Sequence, residues 1–361
     1  MILQPLEDRR RIASCVRSRR DAVAARVTAE FLQGHPGWLE SHGERGRSAS
    51  ERDALHHLDF LAAAVESGSE GAFADYARWT AGVLRARGLA VELLSEALER
   101  IAAALAEDLP AGDAAPVAAI LHAALVQCGN EPPSPASEAP LAGMALGRSL
   151  FVRALLDGNR RAAEGIALET LHQGVTPLDL YVDFLQEAMY QIGHLWEANQ
   201  ASVAQEHMAT AIVQYIVARL YAIVPPPTRQ RGGALVAVVA GEMHELGAHI
   251  LADALEADGW DVRFLGANVP SSAILGAVSE HRPQVVGISA ALLTRLGEVA
   301  SLVGALRRKF SPPPRILLGG AAIRLAPELA RELGVETVRD ARATVELLRR
   351  PRPAEAARTA G

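Results

Sequence analysis

The feature that most constrains the fold is a change of hydrophobic period near residue 234. Before it, apolar residues recur every three or four positions, as they do in amphipathic helices. After it, short apolar runs such as ALVAVVA and QVVGISA alternate with helical segments, about five times. This alternation predicts a doubly wound parallel sheet with helices on both faces. Ligands of such sheets bind beyond the carboxyl ends of the strands.

Two proline-rich stretches divide the rest of the chain. EPPSPASEAP, residues 131–140, has no hydrophobic periodicity and is typical of a linker. PPPTRQRGG, residues 225–233, separates the last helix of one segment from the first strand of the next. We therefore predict an all-helical domain over residues 1–130, a four-helix bundle over 141–226 and the α/β domain over 233–350.

Two local signals mark helix starts within the predicted bundle. Thr176 followed by Pro177 is typical of a cap followed by a first-turn proline. Ser202 with Gln205 three residues later predicts a capping box at the start of the last helix.

Composition excludes several classes of protein. Half of the 361 residues are hydrophobic and the net charge is only −6, which excludes a disordered chain and argues against a broadly basic nucleic-acid binder. Two cysteines, Cys15 and Cys128, cannot form a disulfide framework. With neither a signal-peptide pattern nor an uninterrupted apolar span, even over residues 209–224, we expect a soluble cytoplasmic protein without a membrane partner.

The turn after the first predicted strand reads GEMHELG, residues 241–247. It places His244 beyond the carboxyl end of that strand, where an imidazole can reach a ligand. Ser289 ends the third predicted strand, and Gly319 and Gly320 end the fourth, so all of them face one crevice. Consecutive glycines let a large flat or elongated ligand touch the backbone. The turn lacks the glycine spacing of the dinucleotide and phosphate-binding motifs.

These residues resemble the cobalamin-binding domain family. The resemblance rests on the Glu-x-His-x-x-Gly pattern of Glu242, His244 and Gly247, on VRFLGANVP, on Ser289 and on the glycine pair. It implies that His244 is the lower axial ligand of cobalt and that the displaced nucleotide base lies in a groove lined by Ser289 and the glycine pair. Most members have aspartate at the position of Glu242, and either carboxylate can hydrogen-bond the distal ring nitrogen of the histidine. Ser289 would extend that chain of hydrogen bonds.

The preceding bundle resembles the helical cap of light-sensing, adenosylcobalamin-dependent transcriptional repressors, through the segment IGHLWEANQASVAQEH. The likeness implies that Trp196, Glu206 and His207 enclose the adenosyl group on the upper face of the corrin. In those repressors the residue after the tryptophan is a histidine that captures cobalt after illumination. Here it is Glu197, a poorer partner than imidazole for such a site. One alternative is that His194 or His207 binds cobalt in the light state. The other is that no second histidine binds cobalt in that state.

Residues 1–130 show no winged-helix DNA-binding pattern and resemble, more loosely, the globin-like N-terminal domains of stressosome sensor proteins. A related resemblance is to photocobilins, which join a cobalamin domain to a bilin-binding sensor domain. It implies a bilin such as biliverdin, held covalently by Cys15 or Cys128 or held without a covalent bond. Candidate bilin-binding residues are His56, His57, Tyr76, Trp79 and Arg85. The alternative is that His56 and His57 flank an ordinary core face.

These resemblances imply a photoreceptor rather than an enzyme. Light would break the bond between cobalt and adenosyl, and the cap would shift against the α/β domain. The signal would then pass through self-association or a downstream signalling protein. The alternative is a corrinoid protein that carries methyl groups between methyltransferase partners, which requires an open upper face of the corrin. A mutase subunit is disfavoured because the sequence has no pattern of a substrate barrel.

Overall fold

A computed structural model describes residues 4–130, 144–224 and 230–350. The predicted linker, residues 131–140, and the prolines at 225–227 lie outside the described residues, so those two predictions are untested.

The described residues divide into two compact units. The first contains residues 4–130 together with two segments from later in the chain, Leu292–Ala300 and Ala321–Gly334. The second contains the other described residues, which include the helical bundle and the sheet. The two later segments of the first unit follow the third and fourth strands in the chain, which the sequence pattern did not indicate.

Residues 4–130 are helical, as predicted. The helices are α1 (Leu6–Gly34), α2 (Pro36–Ser67), α3 (Glu70–Ala86), α4 (Glu92–Asp108) and α5 (Ala111–Cys128). Gly43, at φ 56°, interrupts α2, and the Ser69 hydroxyl caps α3 by accepting from the Ala72 N–H. The core is made of large apolar side chains without exposure, such as Phe73 and Leu98. This helical arrangement confirms the all-α class of the domain, but the specific globin likeness stays a prediction.

One helix, α5, is long and apolar enough to cross a membrane, by length and composition alone. The sequence pattern indicates residues 209–224, and not α5, as the best apolar run. Val117, Ile120, Leu121 and Ala124 of α5 are buried inside the first unit. The core helix of a globular protein can have the same length and apolar composition.

The second unit begins with the helical bundle. Its helices are α6 (Met144–Leu156), α7 (Arg160–His172), α8 (Pro177–Asp179), α9 (Glu187–Glu197) and α10 (Val203–Tyr221), with a π-helical segment, Leu180–Gln186, joining α8 to α9. Both predicted helix starts are confirmed. Thr176 accepts from the Asp179 N–H, and Ser202 and Gln205 form a reciprocal capping box.

The remainder of the chain alternates strands and helices, as predicted. The strands are β1 (Gly232–Val238), β2 (Trp260–Phe264), β3 (Val285–Ser289), β4 (Arg315–Gly319) and β5 (Glu336–Thr337). The helices are α11 (Leu246–Ala257), α12 (Ser271–His281), α13 (Leu296–Lys309), α14 (Ala321–Leu325), α15 (Pro327–Glu332) and α16 (Ala341–Arg349).

The five strands form one parallel sheet in the order β2-β1-β3-β4-β5. The strand order reverses between β1 and β3, so the crevice at their carboxyl ends is the switch point where such folds bind ligands. The register places Val238 beside Ser289 and Ser289 beside Gly319, which aligns the ends of three strands. The bundle and the sheet share a continuous apolar core that includes Phe184 and Val236.

Candidate functional site

Glu242 and His244 form a tight pair in the turn after β1. With its ring proton on Nδ1, His244 donates to Glu242 Oε1 at 2.5 Å, and its backbone N–H donates to the same oxygen at 3.0 Å. The other oxygen of Glu242 accepts from the Ala291 N–H at 2.9 Å. Glu242 has no exposed surface, whereas the His244 side chain is 63% exposed. The buried carboxylate therefore fixes the imidazole and directs the free Nε2 lone pair outward.

Asn268 stabilises this turn through two hydrogen bonds. Its side-chain oxygen accepts from the Gly241 N–H at 2.7 Å, and its own N–H donates to the Glu242 carbonyl at 2.9 Å. Asn268 adopts a left-handed backbone at φ 53°, a conformation that asparagine tolerates better than most residues. The sequence prediction did not include Asn268, although an asparagine in a loop after a strand was a usable signal.

Electrostatics reinforce the geometry at His244. The hydrogen bond to Glu242 raises the pKa of His244 against the effect of partial burial, and the charge of Glu206 adds to the rise. Glu206 belongs to α10 of the bundle. A hydrogen bond from Gln214 of α10 to Glu245 of the turn, at 3.3 Å, shows that this helix contacts the turn directly.

The ends of β3 and β4 expose backbone beside this pair. Gly320 has φ 103°, and a Cβ at this position would lie 2.1 Å from the Ala290 carbonyl oxygen, so only glycine fits. Gly319 is bonded through its carbonyl to the Ala290 N–H at 3.1 Å. Ser289 is half-buried at the same level of the sheet. Gly247, in the first turn of α11, has no atom within 4 Å of where a Cβ would stand.

The predicted cap residues lie at the end of α9 and the start of α10. Trp196 is half-buried in α9, and Glu206 is half-buried in α10. Glu206 accepts from the Thr210 hydroxyl at 2.9 Å and contacts Nδ1 of His207 at 2.5 Å. The His207 side chain is 74% exposed, so Glu206 is the less exposed member of the pair.

Glu197, which follows the tryptophan, is paired within its own helix. Its carboxylate lies 3.1 Å from Nδ1 of His194. His194 therefore keeps Nε2 free, as His244 does, through a carboxylate partner. This arrangement leaves both His194 and His207 open as the alternative upper ligand.

The five bilin candidates of the first unit do not share one environment. His57 is buried and its Nδ1 lies 2.8 Å from the Tyr76 hydroxyl, while burial lowers the pKa of His57 to about 4. Tyr76 stacks on Phe60 at 4.1 Å, and the Trp79 ring follows at 6.2 Å. In contrast, His56 is exposed.

Arg85 contacts the end of α5, where it donates to the Cys128 carbonyl at 3.0 Å. Burial raises the pKa of the Cys128 thiol, which lowers its reactivity, and Cys15 is half-buried. Of the candidates, contacts join His57 to Tyr76 and Tyr76 to Trp79.

Three observations test whether the residues at the sheet fit a cobalt corrinoid. His244 offers a single oriented nitrogen donor. Within the described ranges, no group of three or more histidine, cysteine or acidic side chains could hold a bare metal ion. A lone imidazole instead suits a metal whose equatorial positions a macrocycle already fills. The backbone at Gly320, which no side chain can cover, suits a long ligand segment lying against β4. The residues present fit the group.

The family matches lie within residues 149–349. Residues 232–349 match the B12 binding domain family, and residues 149–221 match a second B12 binding domain family. Neither family covers residues 1–130.

Two individual proteins are also similar to parts of this chain. The chain is 33% identical to the HTH-type transcriptional repressor CarA of Myxococcus xanthus over 154 residues, 42% of this chain and 51% of the repressor. It is 25% identical to the trimethylamine corrinoid protein of Methanosarcina barkeri over 202 residues, 54% of this chain and 92% of that protein. The chain thus spans about half the length of the repressor that it matches.

Among solved structures, the monomethylamine corrinoid protein of Methanosarcina barkeri aligns with a TM-score of 0.47 and 20% identity, over 55% of this chain and 94% of that protein. The two family matches show that residues 149–221 and 232–349 carry B12-binding domains. The geometry of His244 and the similarity to the repressor agree with this, and together they support a cobalamin-binding protein.

Proposed function

We propose that this protein is an adenosylcobalamin-dependent light sensor that signals without catalysing a reaction. The observation that carries the proposal is an oriented histidine in a turn that a helix of the bundle contacts. Glu242 orients His244 in the turn after β1, and Gln214 of α10 donates to Glu245 of the same turn at 3.3 Å. A site with side chains from both the sheet and the bundle suits a ligand that must be held on its lower and upper faces.

Adenosylcobalamin would supply the light-sensitive step through its cobalt–carbon bond. Side chains and backbone of this chain would hold it. His244 would offer Nε2 to cobalt, Glu242 would keep the proton of that histidine on Nδ1, and the groove at Ser289, Gly319 and Gly320 would take the nucleotide tail. Gly247 leaves space open beside the histidine.

On the upper face, the bundle would hold the adenosyl group. The Trp196 indole would cover it, while Glu206 accepts hydrogen bonds from its hydroxyls and amine. Without that group, Trp196 and Glu206 would both lose a partner, and the bundle would be free to move against the sheet. The change would be read by another copy of this chain or by a downstream signalling protein.

An absorption and association experiment tests the proposal. Purified protein is loaded with adenosylcobalamin in the dark, and spectrum and molecular mass are recorded before and after green light. We expect a spectral change with a change of mass or of shape. His244→Ala should weaken cobalamin binding and give a base-off spectrum. An unchanged spectrum and affinity in this variant contradict the assignment of His244.

Trp196→Ala tests the cap independently of the lower ligand. Binding of hydroxocobalamin should persist, since His244 and the groove are intact, while the light–dark difference should shrink. If the variant keeps the adenosyl preference and the full light response, the cap assignment is wrong.

The second candidate is a corrinoid protein that carries methyl groups. The likeness to the trimethylamine corrinoid protein over 92% of its length favours it. A methyl carrier must leave the upper face open to its partners, so it should bind methylcobalamin and adenosylcobalamin equally. A clear preference for the adenosyl form excludes this candidate.

We further propose that the first unit binds a bilin such as biliverdin, next to His57, Tyr76 and Trp79. The aromatic stack beside a neutral buried histidine supports it, because both suit a flat conjugated ligand. The full chain, co-expressed with a haem oxygenase, should absorb beyond about 600 nm, where cobalamins absorb little. Tyr76→Ala should remove that band, and a preparation without the band counts against the bilin.

A further inference from the structure

A second cavity lies at the opposite edge of the sheet from His244. It has a volume of about 1010 Å³ and opens where the strands begin. Arg231 precedes β1, Trp260 opens β2, Gln284 precedes β3 and Arg315 opens β4. Since all strands are parallel, this amino-terminal edge is separated from the proposed cobalamin groove by the full length of the sheet. The volume is in the range of sites that hold small molecules.

The charge of the cavity is strongly positive. Its described lining has no acidic residue and contains five arginines: Arg231, Arg282, Arg315, Arg349 and Arg350. Two carboxylates beside the cavity offset part of that charge. Asp258 pairs with Arg231 at 3.0 Å and with Arg349 at 2.8 Å, and Glu336 pairs with Arg315 at 2.7 Å. Five guanidinium groups against two carboxylates leave three positive charges.

Helix dipoles offset part of that surplus. Helices α11, α12, α13 and α16 all end at this edge, and each C-terminus carries about half a negative charge, which basic residues commonly offset. Together these ends offset about two of the three charges, so a positive surplus remains. Within the described ranges, Arg282 and Arg350 have no ion-pair partner, so they are the arginines available to an anion.

The backbone of Arg282 has an unfavourable conformation. It occupies the left-handed position that ends α12, at φ 46°, where glycine is the usual residue. A long side chain there costs about 1 kcal/mol relative to glycine. A residue kept in an unfavourable conformation, with an unpaired charge facing a cavity, points to a role for that charge.

Flat surfaces accompany the charges. Trp260 and Phe310 both line the cavity, and Pro312, Pro313 and Pro314 form part of its wall. The indole Nε1 of Trp260 is buried and has no acceptor among the described residues. Guanidinium groups bind phosphates in a bidentate manner, and both arginine and aromatic side chains stack on planar rings. The combination suits a ligand with a flat ring and several phosphate charges.

We propose that this cavity is a nucleotide-binding site, occupied by a nucleoside di- or triphosphate. The phosphates would be held by Arg282 and Arg350, and the base would lie against Trp260 or Phe310. The proposal is independent of the function proposed for the other edge, because none of the cavity residues belongs to the cobalamin groove or the cap.

Calorimetric titration of the full chain tests the site. The protein is first loaded with adenosylcobalamin in the dark, so that the adenosyl pocket of the cap is filled and ATP cannot enter it. ATP and GTP, inorganic tripolyphosphate and free adenosine are then titrated separately at physiological salt. We expect saturable binding of ATP or GTP below about 1 mM, with tripolyphosphate weaker and adenosine weaker still.

Variants locate the binding. Arg282→Ala combined with Arg350→Ala should weaken nucleotide binding at least tenfold. Arg263→Ala is the matched control, because Arg263 is a β2 arginine outside the cavity that pairs with Asp261. His244→Ala should lose cobalamin affinity and still bind nucleotide, which separates this proposal from the cobalamin one.

Three results would overturn the proposal. The first is wild-type protein that binds neither ATP nor GTP at 1 mM. The second is equal loss of binding in Arg263→Ala and in the double variant. The third is tripolyphosphate that binds as tightly as the nucleotides, which would indicate an anion site without recognition of the base.

Discussion

The two edges of the parallel sheet are built in different ways. At the carboxyl edge, backbone and short side chains decide the geometry: the Ala291 N–H holds Glu242, Glu242 holds His244, and Gly320 admits no side chain. At the amino edge, long arginine side chains from several elements surround an open cavity. The carboxyl edge holds one donor atom, Nε2 of His244, in one direction. The amino edge brings several positively charged side chains together.

This difference fits the ligands that we propose for each edge. A cobalt–nitrogen bond needs a defined tautomer and direction, which a fully buried carboxylate provides. Phosphate groups accept hydrogen bonds from many directions, so guanidinium groups from several elements can bind them together. Substitutions at the carboxyl edge should therefore have large, sharply localised effects, and those at the amino edge should have smaller and more distributed effects.

Gly320→Ala should have the largest effect. The new methyl group would stand 2.1 Å from the Ala290 carbonyl oxygen at φ 103°, so the backbone of the groove must move. We expect a loss of about 3 kcal/mol or more in the free energy of unfolding, measured by urea denaturation, and loss of cobalamin binding. Gly276→Ala is the control, since Gly276 lies in α12 with open space around it, and it should be neutral or slightly stabilising. Equal stability of the two variants would show that the carboxyl edge is not rigid.

Glu242→Gln should have the next largest effect. Glutamine keeps the size of the buried side chain but cannot accept at both oxygens, so either the His244 ring or the Ala291 N–H loses its acceptor. We expect cobalamin affinity to fall about 10- to 100-fold with little change in stability. Equilibrium titration with hydroxocobalamin measures it. An affinity within twofold of wild type would mean that His244 does not depend on Glu242.

The sequence predicts the carboxyl edge well because its features are local. A strand followed by Glu242 and His244, and strands ended by Ser289 and the glycine pair, are all patterns of a few residues. What the sequence missed are partners from elsewhere in the chain. Ala291 and Asn268 contact the Glu242 turn through backbone groups or a loop amide, and no periodicity signals such contacts.

The amino edge escaped prediction for a similar reason. Its five arginines are scattered from Arg231 to Arg350 and form no motif along the chain. They come together only because strand starts and helix ends meet at one edge of a parallel sheet. The first unit shows the same limit: its helices were predicted, yet the contacts of Arg9 with Glu332 at 2.5 Å and of the Ser69 hydroxyl with the Leu325 carbonyl at 3.3 Å were not.

Asp253→Asn tests a region that belongs to neither edge, between the bundle and the sheet. Burial raises the pKa of Asp253 to about 6, while nearby His249 opposes the rise and Glu256 adds to it; the Tyr181 hydroxyl donates to Asp253 at 3.2 Å. Because the folded-state pKa lies above the unfolded value, the folded state binds the proton more tightly, and the contribution of Asp253 to stability falls as the pH rises from about 4 through 6.

Asparagine keeps the acceptor for Tyr181 and has no charge to bury. Relative to wild type, the variant should therefore gain stability between pH 4.5 and 7.5, by about 1–2 kcal/mol. Urea denaturation at both pH values measures this. Asp261→Asn, at an exposed position in β2, is the control. A variant that follows the wild-type pH trend would show that Asp253 is charged at no cost.

Arg282→Gly should have the smallest effect on stability, and its sign is the informative part. Glycine is favoured at the left-handed position that ends α12, so the variant should gain up to about 1 kcal/mol in the free energy of unfolding. Arg282→Ala keeps the unfavourable backbone and removes the same charge, which makes it the matched control. If the proposal for the amino edge is right, both variants bind nucleotide more weakly, but only the glycine variant is stabilised. A glycine variant that is less stable than wild type would show that the Arg282 side chain stabilises the fold. Its unfavourable backbone would then not point to a ligand, and the two edges of the sheet would differ in geometry without a shown difference in ligand.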